Sequence, residues 1–441
     1  MHKTNIMILL PPALKGPGMV KSPPLDIANL AAVLKLEAKH NVVLADFRKY
    51  VIKEHSFYQE RGINLSIFND FKRCMKHFLR EDVEINENVD RVLSTTNFDG
   101  IGYVVVSVAV LEQFTLAYLM SALCFSLRIK KEHPSIKLIL FGNCPEDHID
   151  KIMRLFKFID AFPKGGNEFF VSDYIQGHPA AGIKSHVPLD RLPPPDFSLF
   201  DLASYKSNTR LVLPYELSRG CINSCWFCYY IYKGTINLKD PNKAVDALMM
   251  LSGKYGTDRF HLMDAAVNPD PDRLMRFCEI LKKQHRKIKW SALAIPNMQQ
   301  PLLDCLKAAG CVQIRWGVES GSERMLKKIN KGITKKSIKD TLAYAHLIGI
   351  NNYITLISGL KGELESDVDE TIGFIQELAP FVDSAQECIW GELGYFSLAV
   401  FESFKGSLKP HRHEGHYKGI LRQLNMGQED IIDFMSGPRA L

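Results

Sequence analysis

The stretch Leu211-Val-Leu-Pro-Tyr-Glu-Leu217-Ser-Arg-Gly-Cys221-Ile-Asn-Ser-Cys225-Trp-Phe-Cys228 joins an apolar run of strand length to three closely spaced cysteines. The apolar run, closed by Ser-Arg-Gly, reads as a buried strand. The cysteines then follow in a C-x3-C-x2-C loop. Three thiolates on one loop can hold three irons of a [4Fe–4S] cube and leave the fourth iron open to another ligand. A zinc loop completed from elsewhere is the competing reading of a C-x2-C pair, and three core cysteines the plainest. The three-and-two spacing straight after a strand favours the cluster, with Cys221, Cys225 and Cys228 as its ligands.

Downstream, further short apolar runs at Phe260–Met263, Lys289–Leu293, Val312–Val318, Tyr353–Ile357 and Ser384–Trp390 alternate with helical patterns. Those helices are expected over Ala244–Leu251, Asp272–Lys282, Pro301–Ala309, Ile338–Ile348 and Val368–Leu378. The spacing of Ile338, Leu342 and Ala345 marks one buried helix face. Six strand–helix units predict a partial (β/α)6 barrel over residues 207–400, with its active end at the C-terminal ends of the strands. Upstream, apolar runs at Ile6–Leu10, Val42–Ala45, Gly102–Val110, Lys137–Phe141 and Phe158–Phe162 flank helical patterns at Leu25–Leu36 and Phe114–Ile129. That order predicts an α/β, Rossmann-like domain with a doubly wound parallel sheet over residues 1–185. Residues 48–97 read as a charged, less regular insertion. The proline-rich run Val187–Asp196 reads as a stiff linker spanning 186–206, and 401–441 as a short C-terminal tail.

Composition narrows the class. Hydrophobic residues make up 46% and charged residues 24% of the chain, as in ordinary globular proteins. The net charge of +6 is too small and too spread to point to nucleic acid. No apolar run reaches a membrane span, and Pro11-Pro12 interrupts the first apolar run before it can serve as a signal core. A cytoplasmic protein is expected, in which ten cysteines serve as thiols or ligands rather than disulfides.

The segment Cys221–Cys228, with Phe227 before the last cysteine, resembles the signature of radical S-adenosylmethionine (SAM) enzymes. The resemblance implies that SAM chelates the open iron and is cleaved by an electron from the cluster to a 5′-deoxyadenosyl radical. It extends along the second domain. His261-Leu-Met-Asp264-Ala-Ala-Val-Asn268 resembles the segment after the second strand, Gly317-Val-Glu319-Ser320-Gly321 with Asn330-Lys331-Gly332 the fourth-strand motif, and Gly359-Leu-Lys-Gly362-Glu363 the loop after the fifth. By that resemblance Phe227, Asp264, Asn268, Ser291, Glu319, Ser320 and Gly359 are the expected SAM contacts. Lys361 stands where the family usually has proline.

Beside such a domain, the N-terminal half is similar to the cobalamin-binding domain of one radical SAM subfamily. The similar segments are Pro23–Leu34, Phe98–Ser107, Phe141-Gly142-Asn143 and Asp160–Glu168. Pro12, Ser107, Gly142, Asn143, Gly166 and Glu168 are then the expected cobalamin contacts. The D-x-H-x-x-G loop that would give cobalt a histidine is missing from Pro11–Ser22, as is usual in this subfamily, and Asn143 replaces a usual glycine. The resemblance implies methylation of an unactivated carbon of a small-molecule or peptide substrate through methylcobalamin, with a flavodoxin or ferredoxin as electron donor and neither nucleic acid nor membrane as partner. A cobalamin-dependent cyclase or ring-rearrangement enzyme and a non-catalytic cofactor sensor are the alternatives. His411, His413 and His416 read as a solvated basic loop, and the other cysteines as core residues.

Overall fold

Parallel strands organise both halves of the chain. The computed structural model describes residues 4–12, 22–37, 40–48, 58, 60–108, 116–142, 144, 146–166, 168–178, 188–205, 210–228, 230, 232 and 234–389. Asn143, Trp390 and the expected tail, with its three histidines, lie outside them. Within the described residues, 4–178 and 191–205 form one compact unit, and 188–190 with 210–389 the other.

In the first unit β1 (Asn5–Leu10), β2 (Asn41–Asp46), β3 (Tyr103–Ser107) and β4 (Lys137–Phe141) pair in parallel in the order β2-β1-β3-β4. Helices α1 (Leu25–Ala32), α2 (Phe71–Leu79), α3 (Val83–Leu93), α4 (Leu116–Glu132), α5 (Glu146–Leu155) and α6 (Glu168–Ile175) complete it. The strands are short and rich in Val, Ile and Leu; β1, β3 and β4 are buried along all but their first residue, as a sheet covered on both faces requires. The strand expected over Phe158–Phe162 shrinks to a single parallel bridge, Ile139 to Ala161. Asp160 turns its carboxylate back onto the Leu138 N–H (2.9 Å), and Pro163 offers no N–H to prolong a ladder.

Of the region read as an insertion over 48–97, the described residues 60–97 contribute to the core. Asp70 caps α2 by accepting from Arg73 N (2.9 Å), and Asp82 caps α3 by accepting from Ile85 N (3.2 Å). Ile85, Val89 and Val92, one face of α3, share a hydrophobic cluster with Phe68, Cys74 and the α4 residues Leu119, Leu123 and Phe125. The proline-rich stretch also differs from a free linker. Asp196, Phe197, Phe200 and Tyr205 are buried within the first unit, Lys35 holds Asp196 at 2.7 Å, and the Tyr205 hydroxyl donates to Asp46.

The second unit opens with β5 (Val212–Tyr215), then a hairpin of β6 (Ser218–Cys221) and β7 (Thr235–Leu238). Next come α7 (Pro241–Tyr255), β8 (Arg259–Leu262), α8 (Pro271–Lys282), β9 (Lys289–Ala294), α9 (Gln300–Ala308), β10 (Cys311–Glu319), α10 (Glu323–Ile329), α11 (Lys335–Leu347), β11 (Asn351–Ser358), α12 (Glu365–Leu378) and β12 (Ser384–Ile389). Strands β5, β8, β9, β10, β11 and β12 form one parallel sheet in chain order, a partial (β/α)6 barrel. Two tryptophans fix which strand face the helices cover. Trp290 is fully buried against Phe277 of α8 (ring centroids 6.2 Å apart) and donates to Ala309 O (3.0 Å). Trp316, equally buried, donates to Asn352 Oδ1 (2.7 Å). Strand alternation therefore turns Ser291 and Arg315 to the opposite, concave face. Among the described residues no helix is long and apolar enough to cross a membrane.

Candidate cluster and SAM site

Cys221 ends β6, and the remaining two cysteines sit in the connection to β7. The hairpin closes because Gly220 has φ +114°, and a Cβ there would lie 2.2 Å from Thr235 O. The loop folds back on itself through Cys221 N to Tyr232 O (3.2 Å), Gly234 N to Cys221 O (2.7 Å) and Cys228 N to Cys225 O (3.0 Å). Tyr230 N–H donates to Cys228 Sγ (3.4 Å), the kind of contact that tunes an iron–sulfur potential. None of the three is in a disulfide; Cys225 is buried and the outer two half-buried. Burial pushes the Cys225 thiol up, and the Lys331 ammonium opposes it.

Among the described residues no three His, Cys, Asp or Glu side chains converge on one ion position. A [4Fe–4S] cube needs no such point, because each thiolate takes its own iron, and three cysteines spaced along one folded loop fit it.

Two carboxylates frame this loop. Asp264, just beyond β8, accepts from Leu217 N (3.0 Å) and Ser218 Oγ (2.5 Å), tying the second strand's end to the root of the cysteine hairpin. Glu319, the last residue of β10, is buried with φ +66°, a left-handed backbone at a bulge in the register with β11. Lys331 reaches it, donating to the Glu319 carboxylate and to Gly317 O (2.7 Å). A side chain at Gly317 would collide with that ammonium.

Residues 215–375 match the family model of the Radical SAM superfamily. The chain carries a radical SAM domain. A methyltransferase of Pyrococcus horikoshii, otherwise uncharacterized, is 22% identical over 408 residues, 88% of this chain and 80% of the relative. The cobalamin-dependent SAM radical enzyme OxsB, solved with aqua-cobalamin and SAM bound, is 18% identical with a TM-score of 0.59 over 86% of this chain, which spans 53% of OxsB. The radical SAM methyltransferase TsrM from Kitasatospora setae, solved with tryptophan and a SAM analogue, is 14% identical with a TM-score of 0.62, covering 94% of this chain and 79% of TsrM. Both likenesses extend the fold beyond the radical SAM domain to most of the chain. A radical SAM domain works with a [4Fe–4S] cluster and SAM.

Within the radical SAM domain the expected SAM residues sort into different roles. Glu319 stands at a strand end, paired with Lys331. Asn268 uses its amide on backbone, donating to Ile295 O (3.0 Å) and accepting from Ile295 N (2.9 Å). Ser320 is fully buried and spends its hydroxyl on Thr371 Oγ1 (3.2 Å) and Ser322 N (3.2 Å). Ser291 bonds His261 Nδ1 (2.9 Å) on the concave face. Gly359, φ +75°, directly follows β11 and gives its N–H to Glu363 (2.6 Å), while Phe227 packs edge-on against Trp226. Lys331, quoted in the motif but not nominated, and the concave-face pair His261 and Arg315 are additions that the fold supplies.

In the first unit, Pro12, Ser107 and Gly142 follow or end β1, β3 and β4, so the topology brings them to the carboxyl edge of the sheet. Gly166 closes the turn that follows Ala161, and Glu168 begins α6. Pro12 O accepts from Ser121 Oγ (2.5 Å), and Gly142 holds φ +145°, a conformation that favours glycine.

Asp264 yields a pH test. Burial raises its pKa to about 6 against an ordinary 3.8. Well below pH 3.8 the group is protonated in both states and contributes no penalty. Rising pH ionises the unfolded chain first, so stability falls through pH 4–6 by about 3 kcal/mol. Asp264→Asn, which keeps an acceptor for Leu217 N, is expected to gain on the wild type by most of that amount at pH 8 and nearly to match it at pH 4. Denaturant unfolding of both proteins at the two pH values measures the crossover.

Proposed function

We propose that this chain is a cobalamin-dependent radical SAM enzyme that methylates an unactivated carbon of a small-molecule or peptide substrate. The observation that carries the reading is the C-x3-C-x2-C loop at the head of a partial barrel, in one chain with a β2-β1-β3-β4 sheet whose carboxyl edge bears Pro12, Ser107 and Gly142. The methyltransferase relative and the folds of OxsB and TsrM support it. Cys221, Cys225 and Cys228 would hold the cluster, and Glu319 with Lys331 would meet SAM at the end of β10. The small strand-end residues of the first unit would admit the corrinoid. When bound, cluster and SAM supply a hydrogen-abstracting radical, and cobalamin supplies the methyl group. The protein's part is to hold the loop through Gly220 and Asp264 and to keep water off Cys225.

Anaerobic reconstitution with iron, sulfide and cobalamin, followed by removal of excess, tests the reading. About four irons per chain, retained corrinoid absorption, and both 5′-deoxyadenosine and S-adenosylhomocysteine from SAM under reduction are expected. Iron without corrinoid would end the cobalamin reading and leave the radical SAM domain standing.

A further inference from the structure

The concave face of the barrel sheet carries a cation that its neighbours do not neutralise. Arg315 lies in mid-β10, in register with Leu293 of β9 and Tyr353 of β11, on the face away from Trp316. Its guanidinium sits 5.1 Å over the Tyr353 ring, and Nη2 donates to Gln386 Oε1 on β12 (2.5 Å). The Tyr353 hydroxyl donates to the same oxygen (3.0 Å), so one neutral acceptor serves two donors. The Nε–H is buried without a hydrogen-bond partner. Among the described residues no carboxylate lies within ion-pair distance of Arg315. Nearby His261 adds no negative charge; burial and the Arg315 charge drop its pKa to about 4, so it is neutral.

We infer that Arg315 docks an oxyanion of the substrate, a carboxylate or a phosphate-type group, and that the enzyme therefore acts on an anionic molecule. A guanidinium steadied on one edge by Gln386 and on its face by Tyr353 presents the fixed fork that binds such groups through paired hydrogen bonds. Its depth separates it from the strand-end residues. Arg315 precedes Glu319 by four residues, about 13 Å along an extended strand, which sets it below the mouth where Glu319 and Lys331 stand. The inference rests on the reading of this domain as an enzyme whose substrate enters the barrel. The other source of such an anion is the methionine carboxylate of SAM.

The experiment is equilibrium dialysis of the iron-reconstituted full chain against phenylphosphonate and benzoate, with neutral benzamide as control, with and without saturating SAM. Wild type, Arg315→Gln and Arg315→Lys are compared, with iron content and circular dichroism verifying that each variant folds. The expected result is retention of both anions but not of benzamide, unchanged by SAM. Affinity should fall about tenfold or more in Arg315→Gln and less in Arg315→Lys, which keeps the charge and loses the fork. Equal binding by wild type and Arg315→Gln overturns the inference, as does failure of the wild type to bind either anion. Displacement of the anions by SAM also overturns it and gives Arg315 to the SAM carboxylate. SAM cleavage by the wild type in the same preparation tests the enzyme reading separately.

Discussion

Cys225→Ala is expected to reduce iron after reconstitution from about four per chain to background, and SAM cleavage under reduction to background with it. Cys225 is the middle cysteine of the loop and the only buried one of its three. Losing it leaves two thiolates on the loop, too few to hold a cube that already has one iron without a protein ligand. The substitution removes a single sulfur, so circular dichroism and the unfolding transition of the iron-free protein should stay within about 1 kcal/mol of wild type. Cys388 makes the sharpest control. It is half-buried on β12, and its thiol is raised first by burial and eased by Arg315, with Glu319 also near enough to be felt. It is a cysteine of the same domain outside the loop. Cys388→Ser should keep its full iron content. Full iron in Cys225→Ala, or its loss in Cys388→Ser, would reassign the cluster.

The cysteine loop was legible because its chemistry lies in residue type and spacing. The six parallel strands of the barrel were legible because each alternates with a long amphipathic helix. What the sequence hid was local. Helix α10 is only seven residues, too short for a periodic signal, although Ser322 caps it by accepting from Met325 N (3.3 Å). Strand β7 has two apolar residues in four, and its pairing with β6 depends on the close backbone approach at Gly220 rather than on hydrophobic pattern. Residues 48–97 looked like an insertion because two helices with strongly charged outer faces mask one buried stripe. The caps Asp70 and Asp82, each followed by apolar residues at helical spacing, were the signal to read.

Side-chain roles at the strand ends were less legible still. Asp264 and Asn268 lie in the loop after β8 and Ser320 directly follows β10, where polar residues are expected at a ligand site. Each turns to the protein's own backbone or to Thr371 instead. A sequence pattern gives the position of a polar group along a strand, whereas its partner depends on loop geometry. Arg315 shows the converse. Its facing could be read only once Trp316 was known to point into the helices.

The second large effect is expected at Lys331. Its ammonium and the Glu319 carboxylate are both about nine-tenths buried. Lys331→Met would leave that carboxylate without its counter-ion on a left-handed backbone, at a cost of about 3–5 kcal/mol. The cost should be larger at pH 8 than at pH 5. An unpaired buried carboxyl has its folded pKa raised, so the variant loses stability as rising pH forces ionisation. Lys331→Met/Glu319→Gln removes both charges, and denaturant unfolding should recover most of the loss, with a coupling of about 2 kcal/mol. SAM affinity then separates two purposes of the pair. A double variant that regains stability and also binds SAM as wild type would make the pair a structural brace for the bulge after Gly317. Regained stability with lost SAM binding would mean that the buried charges are kept at the end of β10 for the ligand. That second outcome is the expected one: a neutral pair would brace the bulge without the cost of desolvating two charges.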